Sequence, residues 1–298
     1  MSLLSNSAID AQAQLSAFER ASNYFGLHLN PGAGKTEVMH FGRTAQHPLL
    51  ATASGVLPEC DEYKYLGWHL NVDGDWTKDF AKRKQHAWYI MRKFRDVWTS
   101  SAQRDTKLKV FFALIVPILT HASFTYPNTQ RMRVTLHTTC NALRRYSLQV
   151  RIEWSDPTLH EHTESLYSNF PTLPCIVAHQ FVSSFGHWCR HVDDSPAVQV
   201  LVGEVHDPRS SRRTRPGPAR TLYQLTELCP ADLANAALDR KKYAKLTERA
   251  ARTTEFELYE SHILKHRLGG PPSRTERRRI FDLIDKKLTR WFTRPHRH

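Results

Sequence analysis

Acidic residues are missing from long stretches of this 298-residue chain. Between Thr106 and Ile152 there is no Asp or Glu, yet Lys107, Lys109, Arg131, Arg133, Arg144, Arg145 and Arg151 all fall there. Ala81 to Arg95 is equally free of acids and carries Lys82, Arg83, Lys84, Arg92, Lys93 and Arg95. Charge of one sign in such blocks cannot be neutralised locally and needs an external anion or solvent. The chain also lacks any Cys-x-x-Cys pair. Its cysteines, Cys60, Cys140, Cys175, Cys189 and Cys229, are odd in number. That argues against a disulfide framework and for reduced thiols in an intracellular protein, nuclear or cytoplasmic. Long hydrophobic runs are absent too. The most apolar stretch, Val110 to Leu119, is too short to span a bilayer and contains Pro117, so no membrane segment is expected. The start shows no basic region followed by an apolar run and a cleavage site.

What the sequence does have is positive charge and a core. Lys and Arg number 42 against 29 Asp and Glu, giving a net charge of +13 and a pI near 9.7. A surplus of that size points to a polyanionic partner. Hydrophobic residues make up 40% and aromatics 10%, enough apolar surface to fold rather than stay disordered. A third basic block closes the chain: from Lys265 onward there are eleven Lys and Arg against Glu276, Asp282 and Asp285.

Periodicity orders these residues into elements. Asn6 or Ser7 caps a first helix that Gly26 stops. Short strands are expected at Leu27 to Asn30 and Thr36 to Phe41 around the Pro31–Gly34 loop. A hairpin follows, with arms Tyr63 to Leu66 and Trp68 to Asn71. Phe80, Ala87, Met91, Phe94 and Trp98 then share one face of a helix from about Thr77 to Trp98. Further helices are expected from Arg104 to a kink or stop at Pro117, and over Thr129 to Leu148, Ile176 to His191, Ala231 to Thr247 and Glu276 to Phe292. Pro157, Pro171 and Pro174 mark a looser stretch, and Arg209 to Arg220 a basic linker.

Several chemical signatures fail on inspection. The Gly-Ala-Gly-Lys-Thr-Glu run lacks the first glycine of a phosphate-binding loop, for which Leu29 stands, and Val38 to Phe41 reads as a strand where a helix is needed. Cys175, His179, His187, Cys189 and His191 offer four ligands for a structural zinc. Cys175 and His179 have helical i,i+4 spacing, but His187, Cys189 and His191 at steps of two spread round the helix axis, and no bound metal is expected. Asp193-Asp194 lies between His191-Val192 and Ser195-Pro196, outside any hairpin that would present a catalytic pair. His160 and His162 read as surface loop residues. No Ser/His/Asp set can be argued from spacing.

The segments that do combine are Leu3 to Asn30, then Lys35-Thr36-Glu37 with Asn30 before it, then Asp61 to Gly74 with Tyr63, Tyr65, Leu66 and Gly67. In that order they resemble the end of the palm of a non-LTR (LINE-type) retrotransposon reverse transcriptase, beginning just after its catalytic Asp-Asp. Four residues, Pro31 to Gly34, separate Asn30 from Lys35 where the family has two. The helices from Thr77 to Leu148 look like the family's thumb. Phe185 to Asp194 resembles its Gly-His-x-x-Arg-x-x-Asp-Asp segment. Arg215 to Leu228 and Ala237 to Tyr243 resemble its later tail, with Tyr243 where Trp is usual.

The resemblance implies an α+β chain: a palm remnant with small antiparallel hairpins over 1–75, a helical thumb over 76–151, a helical region over 152–208, a basic linker and helix over 209–252, and a basic tail over 253–298. It implies that the fingers and the rest of the palm, with their carboxylates and Mg²⁺, belong to the parent polymerase. No cofactor, metal site or catalytic residue is assigned within this chain. The partner implied is an RNA or DNA template–primer duplex. Lys35 would reach nucleotide phosphate; Tyr63, Tyr65 and Gly67 would form the primer grip; and Lys82, Arg83, Arg92, Lys93, Arg144 and Arg145 would hold the duplex. From the residues alone, lysines and arginines neutralise phosphates and aromatics stack on bases. A stand-alone basic RNA- or DNA-binding module, with or without one zinc, and a degenerate retroelement remnant remain as alternative readings.

Overall fold

The computed structural model describes residues 3, 5, 7–40, 48–65, 67–73, 75–121, 123, 126, 128–150, 170–191, 218–259 and 273–292. They form a mainly α-helical α+β protein with two small antiparallel hairpins. Two compact units divide the chain, 1–81 and 82–298, and the boundary falls inside a helix.

The first unit opens with α1 (Ala8–Tyr24). Ser7 caps it, its Oγ accepting the Asp10 N–H at 3.1 Å. At the other end Gly26 takes φ +71°, and the N–H of Leu27 reaches back to the Ser22 carbonyl at 2.9 Å. Only a residue free of a Cβ penalty closes a helix this way cheaply. Leu15 is buried with Leu50 and Leu57 in a small core. A hairpin not evident from the sequence, β1 (Ala51–Thr52) with β2 (Gly55–Val56), lies against α1. The Gln12 side chain pairs with the Ala51 backbone in both directions, at 2.8 and 2.9 Å, acting as an extra strand residue on that edge.

Among the described residues the strands expected at Leu27 to Asn30 and from Thr36 onward do not form, and Phe41 lies outside the described residues. In their place are single bridges, from Thr36 to Pro31 and Gly32 and from Val38 to Glu59. Val38 finds its backbone partners at Pro58 and Cys60 and not across the Pro31–Gly34 turn. The hairpin β3 (Glu62–Tyr65) and β4 (Trp68–Asn71) is present, in the register Tyr63 to Leu70 and Tyr65 to Trp68, with Gly67 at φ +83° in its turn. Asn71 and the Asp75 backbone exchange two 2.8 Å hydrogen bonds. Asp75 in turn accepts the Thr77 N–H, starting α2 (Trp76–Lys93).

In the second unit α2 stops at Lys93, not Trp98. Phe94 breaks the helix, a five-residue α3 (Arg95–Thr99) follows, and the Trp98 indole N–H folds back onto the Met91 carbonyl at 2.9 Å. Phe80, Ala87, Met91 and Trp98 are buried as expected, whereas Phe94, at the break, is 36% exposed. α4 (Arg104–Thr120) carries Pro117 in its last turn, and α5 (Gln130–Ser147) is capped by Thr129.

The centre of this unit is α6 (Leu173–His191). It packs against α4, α5, α7 (Pro218–Thr226), α8 (Pro230–Ala237) and α9 (Arg240–Leu258). α8 and α9 replace the single helix expected from Ala231 to Thr247. Asp239 interrupts it, its carboxylate accepting the N–H groups of Lys241 and Lys242 and so restarting the helix. α10 (Arg274–Phe292) lies on α9 through Ile280, Ile284 and Leu288, with Cys175 and Ala251 in the same cluster. Pro157, His160, His162, Asp193, Asp194 and most of the Arg209–Arg220 linker lie outside the described residues. No helix among the described residues is long and apolar enough to cross a membrane.

Candidate nucleic-acid interface

The face of α2 opposite its core residues carries the candidate interface. Phe80, Arg83, Ala87 and Met91 follow one another at three- and four-residue steps and are all buried. On the other side Lys82, His86, Tyr89 and Lys93 repeat the same steps and are all exposed, with Gln85 and Arg92 beside them. Residues three and four apart lie one above another on a helix, so these form a stripe. It holds no carboxylate. Tyr89 is 56% exposed and its ring stacks on that of His86, with centroids 6.2 Å apart and planes at 20°. On the flank, Trp88 meets Tyr146 edge-on at 5.6 Å, tying α2 to α5.

Two of the arginines expected at this interface belong to the interior. Arg83 is 8% exposed because it sits three residues after Phe80 and four before Ala87, on the core side. Arg144 is 1% exposed. It extends the i+4 row Met132–Leu136–Cys140 on α5, and its guanidinium lies 5.1 Å from the ring centre of Phe112 and 5.9 Å from that of Phe111. Such cation–π contact suits a buried guanidinium better than an ammonium. Arg145 is half-buried on the same helix. Lys82, Arg92 and Lys93 are exposed as expected. His86 and Tyr89 are not among the residues expected from the sequence, although their spacing with Lys82 and Lys93 was there to find.

The remaining expected site residues lie in the first unit. Lys35 is exposed on a turn fixed by its own N–H to Gly32 at 2.9 Å and by the Gly34 N–H to the Glu37 carboxylate at 2.7 Å. No helix follows Lys35, so the turn cannot serve as a phosphate-binding loop. Tyr63 is half-buried opposite Leu70, Tyr65 pairs with Trp68, and Gly67 makes the turn.

The histidines and cysteines weighed for zinc are placed otherwise. Cys175 is sealed in the apolar cluster under α10, and burial together with the neighbouring Glu255 pushes its thiol well up. His179 stacks on Phe292, ring centres 4.1 Å apart. Cys189 packs at the edge of the core around Tyr243. No group of three or more His, Cys, Asp or Glu suited to a metal occurs among the described residues.

A comparison with known proteins gives one distant match. It is 24% identical over 141 residues to an uncharacterized transposon-derived protein of Caenorhabditis elegans, covering 45% of this chain and 50% of that protein. The chain thus spans about half the length of the relative it matches. No protein-family profile matches it, and no solved structure matches it significantly.

Proposed function

We propose that this chain is a nucleic-acid-binding portion of a LINE-type retrotransposon reverse transcriptase, holding a template–primer while the carboxylates and Mg²⁺ of polymerisation lie in another portion of the enzyme. The observation that carries this is the outer face of α2, a carboxylate-free stripe of Lys82, Arg92 and Lys93 around exposed His86 and Tyr89. The similarity to a transposon-derived protein supports the origin, and the order of the resembling segments supports the polymerase class.

In this reading the hairpin around Gly67 approaches the primer and α2 neutralises backbone phosphates. A polymerase must accept any sequence, so contact through charge and shape is what the role requires. The buried Arg83 and Arg144 act within the protein and not on the ligand. The test is fluorescence anisotropy with DNA duplex and RNA–DNA hybrid across a salt series. Affinity is expected to fall steeply, the log–log slope amounting to roughly 0.7–0.9 per phosphate neutralised, with little dependence on sequence. A flat salt dependence, or binding to one sequence alone, would contradict the reading.

A further inference from the structure

We infer that the outer face of α2 takes an unpaired strand of nucleic acid, its bases stacking on the Tyr89–His86 rings while Lys82, Arg92 and Lys93 neutralise the adjoining phosphates. This rests on the nucleic-acid reading above and narrows its ligand.

An exposed aromatic is unremarkable by itself. Tyr89 differs in its surroundings: it is 56% exposed, lies near-parallel to a second ring, and is bracketed by Lys82 two turns before it and Lys93 one turn after it, with no carboxylate in the stripe. A duplex cannot use such a ring well, because its bases are already stacked on one another and it presents mainly phosphates and groove edges. A single strand offers a free π-face on every base, and a cationic track with aromatic platforms is the arrangement that binds it without reading sequence. From Lys82 to Lys93 the stripe runs about 16 Å along the helix axis. At about 3.4 Å per stacked nucleotide that accommodates four or five, within the range of single-strand sites. Neither ring nor cation offers a group specific for a ribose 2′-hydroxyl, so RNA and DNA strands are expected to bind alike.

The experiment measures binding of the full chain to labelled oligothymidylate, oligouridylate and a blunt DNA duplex. The proteins compared are the wild type, Tyr89→Ala, Tyr89→Phe and the pair Lys82→Gln/Lys93→Gln. Tyr89→Ala should weaken both single strands by about 5- to 100-fold and leave the duplex nearly unchanged, and Tyr89→Phe should bind like the wild type. The charge pair should weaken all three probes. Tyr89 faces solvent, so melting temperatures should agree across the set.

If Tyr89→Ala binds single strands like the wild type, or loses duplex equally, the stacking inference is overturned while loss in the charge pair keeps the broader reading. If the charge pair changes nothing, or no oligonucleotide binds the wild type, both fall. Tyr89-dependent binding to phosphatidylserine vesicles without oligonucleotide binding would assign the face to a membrane surface and overturn the proposal.

Discussion

A Cβ placed on Gly186 would lie 2.1 Å from Cε1 of Tyr243, so α6 and α9 cross where only glycine fits beneath that ring. The phenol donates to the Val182 carbonyl at 2.7 Å, and the Arg190 guanidinium sits 5.7 Å from the ring centre while its Nη1 binds the Ala237 carbonyl. Burial pushes the Tyr243 hydroxyl well above its usual range, so it stays a neutral donor. Two segments singled out in the sequence for their resemblance, one around Gly186 and one ending at Tyr243, therefore meet as a packing joint.

Gly186→Ala is expected to destabilise the second unit by about 1–3 kcal/mol, because the added methyl must displace an aromatic ring in a filled core. Tyr243→Phe should cost about 1 kcal/mol for the missing hydrogen bond. The double variant Gly186→Ala/Tyr243→Leu should cost less than the sum of its parts, since the smaller side chain leaves room for the methyl. Urea denaturation midpoints measure all of this. A Gly186→Ala protein as stable as the wild type would show that the two helices do not cross as closely as described.

Glu255 tests how the basic C-terminal helix is attached. It is 2% exposed and accepts the Thr172 N–H at 2.9 Å, the Thr172 hydroxyl, and the Lys287 ammonium from α10. Burial alone would raise its carboxyl, but Lys287 and the Thr172 donors outweigh this and hold it below its ordinary value of 4.5. A carboxylate whose folded value is depressed adds stability above its unfolded value. That stability is lost as pH falls through the folded one. Wild-type stability should therefore drop on acidification below about pH 4.5, and the Glu255-dependent part of that drop should vanish in Glu255→Gln. Lys287→Met should cost about 3–5 kcal/mol near neutrality by leaving a buried charge unpaired, and Glu255→Met/Lys287→Met should recover much of it. Thermal melts across pH decide the matter. A Lys287→Met protein melting like the wild type would place the ammonium in solvent.

Arg144 separates a structural arginine from a binding one. Arg144→Ala should cost about 2–4 kcal/mol, since it empties a buried volume between α5 and the Phe111–Phe112 rings. The folded fraction should bind nucleic acid as the wild type does. Reduced affinity with unchanged melting would put the guanidinium on the surface after all.

These residues show what could be read in advance. Helix ends are local: Ser7, one of the two candidates with Asn6, caps α1 and Gly26 stops it, as their chemistry said they would. The hairpin between Tyr63 and Asn71 was legible too, although its first arm runs Glu62–Tyr65, one residue earlier than expected. Arg83 and Arg144 were misassigned because residue type was weighed above position. Each falls in a helical row of apolar neighbours, and that row decides which way the side chain goes. Lys287 gave no such warning. Its partner lies 32 residues away on another helix, and only tertiary packing brings them together. The break at Phe94 was hidden as well, because it depends on the Trp98 ring turning back onto Met91.

Polymerisation makes a further prediction. Two-metal catalysis needs a carboxylate pair that aligns a primer 3′-hydroxyl with the α-phosphate. The Asp193-Asp194 pair has no such setting in the sequence. The full chain is expected to extend no primer with Mg²⁺ or Mn²⁺, by gel assay on a primed RNA template. Template-dependent incorporation that persists through purification would refute this.

The binding face can be located by a matched pair of variants. One neutralises Lys82, Lys84, Arg92 and Lys93, which are exposed on α2. The other neutralises Arg278, Arg279, Lys286 and Arg290, which are exposed on α10. Both remove the same charge, so any effect of net charge on association is common to them. None of the eight side chains is buried, so melting temperatures should stay close to the wild type. If α2 is the grip, its variant should weaken duplex binding on every sequence and flatten the salt slope, by about one phosphate's worth for each cation that had been paired with the backbone. The α10 variant should show only the smaller decrease that net charge explains. A merely solvated basic face on α2 predicts equal, small decreases in both. If the α10 variant binds as weakly as the α2 variant, or more weakly, the assignment of α2 as the grip fails and the C-terminal helix becomes the better candidate for holding nucleic acid.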